Sequence, residues 1–157
     1  MLEHFRPALV MACLLVGGVL TGGTVAADDK AFIRTVDSGE LEWGPCPDFM
    51  PEGCGLAVLQ GDPEQRNADV FFRLQGGTTA PHHTHTSAER MVLISGELHV
   101  DYDGQDPVVM RPGTYAYGPA ELPHVAACRS DSPCILFIAF EEPVDAIPVE
   151  TTGDASE

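Results

Sequence analysis

Residues 77–96, GTTAPHHTHTSAERMVLISG, decide how the rest of the chain is read. His83 and His85 are two apart, and alternate side chains of an extended strand share a face, so both imidazoles point one way. Glu89 follows His85 by four residues and keeps that parity if the strand runs on unbroken. Two imidazoles and a carboxylate converging on one face are the beginning of a metal site. His124, in the later stretch PAELPHV, is the expected fourth ligand. Such a set suits one divalent first-row transition ion: Mn, Fe, Co, Ni, Cu or Zn.

The spacing carries a resemblance. The pattern G-x5-H-x-H-x3-E-x6-G is occupied at every fixed position, by Gly77, His83, His85, Glu89 and Gly96. This resembles the first motif of the cupin superfamily. The second, G-x5-P-x-G-x2-H-x3-N, is met at Gly113, Pro119 and His124. It departs at Glu121, where the family has glycine, and at Cys128, where it has asparagine. Neither departure removes a ligand; they bear on the turn and on the far end of that strand. The resemblance covers roughly residues 56–140 and implies an all-β fold, a small jelly-roll barrel. It also implies a site open on one side, with two coordination positions left for water, dioxygen or a chelating substrate. A lone histidine is more often an unliganded surface residue. Here the spacing, the glutamate and the second motif outweigh that reading.

A chain of 157 residues has room for one domain of ordinary size. Its net charge of −16 argues against nucleic-acid and anionic-membrane partners, which need Lys/Arg patches this chain lacks. Residues 1–27 read as an export signal: Arg6 early, an apolar run at 8–20, and Val25-Ala26-Ala27 as a cleavage site ahead of Asp28. That run is well short of the roughly 20 residues needed to span a bilayer, so no membrane attachment is expected after cleavage near Ala27. Cys13 falls inside the apolar run, not after it, which disfavours a lipoprotein. The expected location is periplasmic or secreted. Four cysteines remain, and an even count in an exported domain points to two disulfides. Three pairings are open. The preferred one is short-range, Cys46–Cys54 around a proline- and glycine-bearing loop and Cys128–Cys134 across the base of a hairpin. Neither spacing suits a zinc site.

Short apolar runs divided by turn signals give the all-β pattern, with about eight to ten strands and no helical period of useful length. Strands are expected at 56–59, 69–74, 90–94, 97–102, 107–110, 114–117, 123–128 and 134–140. Asp103-Gly104 and Pro112-Gly113 mark turns. Residues 28–55 are expected to form an N-terminal arm and disulfide loop, with Trp43 plugging one barrel end. Residues 56–142 form the barrel and 143–157 an acidic C-terminal tail, its last seven residues disordered.

His82, opposite in parity to His83, is expected not to be a ligand, and His99 to face solvent or a neighbouring strand. Met91 and Leu93 share the ligand parity and are expected in the wall around the site. Arg73 and Tyr115 are candidate substrate-pocket residues, while Arg90, Tyr102, Tyr117 and Glu121 are rim or surface residues. No nucleophile elbow, P-loop or dinucleotide fingerprint is present in the sequence. The four-ligand set resembles that of metal-dependent dioxygenases, in which Glu89 would detach and serve as a catalytic base on a chelated small molecule. An isomerase reading is open as well. The competing class is a non-catalytic exported protein that binds a metal or a small polar ligand. Pairing as a homodimer through edge strands is what the resemblance allows.

Overall fold

The computed structural model describes residues 30–150, and the fold below is that of the unit beginning at Ile33. The expected export signal (1–27) and the last seven residues lie outside the described residues. The described chain contains strands and no helix, so no helix here is long and apolar enough to cross a membrane.

The strands are β1 (Gly44–Pro45), β2 (Gly55–Gln60), β3 (Ala68–Leu74), β4 (Thr79–Thr84), β5 (Glu89–Ser95), β6 (Leu98–Tyr102), β7 (Val108–Met110), β8 (Tyr115–Gly118), β9 (His124–Cys128), β10 (Cys134–Phe140) and β11 (Ile147–Pro148). They form two antiparallel sheets, ordered β1-β2-β3-β10-β5-β8 and β11-β4-β9-β6-β7. This is the expected all-β jelly roll. Strand β10 shows why it forms: in CILFIAF, burial alternates without a break. Cys134, Leu136, Ile138 and Phe140 face inward. Across from them, Leu98, Val100, Tyr102 and Ala126 of the second sheet close the same core.

Several expectations are corrected. Cys46–Cys54 and Cys128–Cys134 are both disulfide-bonded, but the second does not sit across a hairpin base. Strands β9 and β10 belong to different sheets, so this bridge ties the two sheets together at one end. Cys128 takes the place of the motif asparagine, and the crosslink is what that departure provides. Trp43 packs beside Arg73, whose Cζ lies 4.3 Å from the ring centroid. Residues 143–150 are not a tail. β11 pairs with β4 in the register Pro148↔His83, and the Val144 and Val149 amides donate to the Pro63 and His82 carbonyls. Ahead of the barrel, β1 pairs with β2.

Candidate metal centre

His83, on β4, is carried to the interior by a bulge. The β4–β9 register runs Ala80↔Ala126 and then His83↔His124, so an extra residue is accommodated at Pro81-His82. Three residues separate Ala80 from His83, which in an unbroken strand would put them on opposite faces. The bulge makes both inward-facing and buried. Proline suits this position because it has no amide to contribute to the ladder. His124 opens β9 directly opposite His83, and Tyr102 of β6 lies opposite His124, so the three form one row across the sheet.

Glu89 arrives by a different route from the one the spacing suggested. The strand does not run on: β4 ends at Thr84, and Glu89 begins β5 in the opposite sheet. The carboxylate approaches the histidines face to face, with Glu89 Oε2 3.5 Å from His85 Nε2. Coordinating atoms of His83, His85 and His124 lie within 4.8 Å of one another.

Each imidazole is held in one tautomer by the backbone. Nδ1 of His83 donates to the Pro81 carbonyl (2.6 Å), Nδ1 of His85 to the Asp145 carbonyl (2.5 Å) and Nδ1 of His124 to the Leu122 carbonyl (3.2 Å). A carbonyl only accepts, so the proton is on Nδ1 and every Nε2 keeps its lone pair for coordination. Burial lowers the pKa of His83 to about 4 and that of His124 to about 3, with repulsion from the neighbouring histidines acting in the same direction. Both rings are therefore neutral at pH 7, the form a metal ligand requires. Burial raises the Glu89 pKa, an effect the adjacent His85 partly offsets. The donor set and its fixed tautomers fit a divalent transition ion.

These groups face a cavity of about 280 Å³ between the sheets, at the low end of the roughly 300–1,000 Å³ typical of small-molecule sites. Met91 lines it, while Leu93 is buried in the core. Arg73 and Tyr115 do not line it: Arg73 lies against Trp43, and Tyr115 is exposed on β8. His82 Nε2 pairs with Asp103 at 3.0 Å, and His99 with Glu97 at 3.0 Å.

Three features escaped the sequence reading. Tyr102, assigned to the rim, is buried at the site, and its hydroxyl has no hydrogen-bond partner. Burial and the nearby Glu89 both raise its pKa. The alternation Leu98, Val100, Tyr102 carried the signal that it points inward. Asp145, which anchors His85, is 60 residues away in sequence and had no such signal. The disulfide loop supplies Pro45, Cys46, Pro47 and Met50 to the cavity wall.

The motif-2 turn grips the motif-1 loop. Glu121 occupies the family's glycine position in the left-handed region (φ 62°), and its amide donates to the His85 carbonyl at 2.8 Å. Gly77, Gly96 and Gly113 also have positive φ. At Gly96 a Cβ would lie 2.7 Å from Cys134 Sγ, so glycine is required there for space as well.

The family model described as Cupin domain matches residues 70–140. No curated protein matches the sequence. Among solved structures, the polyketide cyclase RemF from Streptomyces resistomycificus is similar at 16% identity and TM-score 0.61, over 78% of this chain and 89% of that one. A double-stranded β-helix protein from Klebsiella pneumoniae matches at 16% identity and TM-score 0.58, over 78% of this chain and 100% of its own. The DMSP lyase DddQ from Ruegeria pomeroyi matches at 19% identity and TM-score 0.58, over 74% of this chain, which spans only 64% of the lyase's length. At these identities the likeness is one of fold. Motif spacing, jelly roll and family match agree, and residues 70–140 of this chain are a cupin domain.

Proposed function

We propose that this chain is an exported, metal-dependent small-molecule enzyme. It holds one divalent first-row ion on His83, His85 and His124, with the buried carboxylate of Glu89 as fourth donor. One observation carries the reading: three histidines with backbone-fixed tautomers converge beside a buried carboxylate at the wall of a cavity. When bound, the ion supplies Lewis-acid polarisation of a chelated oxygen, or a redox relay. The chain's own part is positional. The three rings are oriented before any ligand arrives, and the apolar walls exclude water. Glu89, which would be a fourth donor, could detach and accept a proton at Oε2 from the bound small molecule. The dioxygenase-like version is one outcome of that arrangement. The lyase and cyclase among the structural neighbours make a proton transfer without oxygen the other. Two disulfides support an oxidising compartment.

Metal content by mass spectrometry tests the site. The wild-type protein is expected to hold about one equivalent of ion, and His124→Ala to lose most of it; unchanged content in the variant removes His124 as a ligand. Oxygen uptake by the loaded protein with catechol, flavonol, diketone and thiol substrates tests the oxygenase version, which is lost if none is consumed. Absence of any metal-dependent turnover leaves the non-catalytic binding protein.

A further inference from the structure

The cavity is divided by chemistry. Its polar groups are neighbours of one another: His83, His85, His124, Tyr102 and Glu89, with Asp145 at the edge. Away from them the walls are hydrocarbon and thioether, carried by both sheets and by the disulfide loop. Met50, Leu56, Phe72, Leu98, Leu136 and Ile138 are representative. Among the described residues that line it there is no lysine or arginine. Arg73 is turned onto Trp43, and Arg90 is paired with Glu141.

Charge balance limits what can enter. A divalent ion on three neutral imidazoles and one carboxylate leaves a single positive charge. One negative charge on a ligand cancels it. A second would be buried in an apolar chamber with no cation to meet it, which is strongly unfavourable. Asp145 does not alter this. Its carboxylate is engaged by the Thr86 amide and hydroxyl, and at 31% exposure it is screened by solvent. The apolar walls, for their part, reward a hydrocarbon surface and offer nothing to a polar one.

We propose that the ligand is a chiefly hydrocarbon small molecule with one oxygen-bearing head of at most one negative charge. The head sits at the three histidines, and the tail lies against Leu56, Phe72, Leu136 and Ile138. The placement of the head and its limit of one negative charge rest on the metal reading above; the tail site stands on the cavity walls alone.

The test is calorimetric titration of the full-length protein, in metal-loaded and metal-free form, with acetohydroxamate, benzohydroxamate and oxalate. The two hydroxamates share a head and differ in the tail. Benzohydroxamate is expected to bind roughly tenfold or more tightly than acetohydroxamate in both forms, given the apolar area it buries. Its heat-capacity change should also be more negative. Oxalate should bind the loaded form more weakly than benzohydroxamate. Equal affinities for the two hydroxamates, or a preference for oxalate, overturn the proposal. If loading changes neither hydroxamate affinity, the metal reading fails while the tail site stands, so the two failures are distinguishable. Ala126→Leu, which fills the cavity from β9, should erase the preference for phenyl over methyl and leave acetohydroxamate unaffected. Because the wild-type comparison decides the matter by itself, a variant that misfolds does not stall the test.

Discussion

Tyr102 and Glu121 each stand in local surroundings that do not favour them. The Tyr102 hydroxyl is buried without a partner, close enough to Glu89 to feel its charge. A buried hydroxyl left unpaired costs roughly 1–3 kcal/mol. Tyr102→Phe is therefore expected to leave thermal stability unchanged or raise it by up to about 1 kcal/mol. A fall in melting temperature would mean that the hydroxyl has a partner after all. Glu121 stands in a left-handed conformation, which costs an L-residue roughly 1–2 kcal/mol relative to glycine. Part of that is offset because glycine makes the unfolded chain more flexible. Glu121→Gly should raise stability by about 0.5–1 kcal/mol, read from urea unfolding, with the amide bond to His85 retained.

Among the elements, the segment after β10 matters most. It was expected to begin an acidic tail, yet it pairs along β4 and supplies the acceptor that fixes the His85 tautomer. Ending the chain after residue 142 should lower stability by on the order of 2–3 kcal/mol through lost backbone hydrogen bonds. It should also reduce metal content, since His85 would be free to turn. An unchanged urea midpoint would return residues 143–150 to the role of a tail. The bulge at Pro81-His82 has the same character. Its effect, turning both Ala80 and His83 inward, depends on the register with β9.

At the scale of the whole molecule, the buried histidines make the metal-free protein sensitive to acid. Their folded pKa values, about 4 for His83 and about 3 for His124, lie below the unfolded value of 6.5. The unfolded chain thus binds protons first as pH falls. The stability these groups contribute is complete above pH 6.5 and is lost progressively as pH falls to about 4 for His83 and about 3 for His124. Glu89 acts in the opposite sense: its raised pKa favours the folded state at low pH, and that contribution fades as pH rises above 4.5. Urea midpoints of the metal-free protein should fall between pH 6.5 and 4. His124→Ala, with one buried imidazole fewer, should fall less steeply over the same window.

Strand positions, the shared parity of His83 and His85, the turn glycines and the short-range disulfide pairs were local matters, set by side-chain alternation and by residues that tolerate only certain backbone angles. They could be read from neighbours in the chain. Which sheet each strand joins was not local. That choice brought Glu89 to the histidines from the opposite sheet and made Cys128–Cys134 a tie between sheets. It also carried Asp145 back to His85 and faced Arg73 and Tyr115 away from the cavity. Each of these depends on which strands pair across the fold and on burying one continuous apolar surface between two sheets.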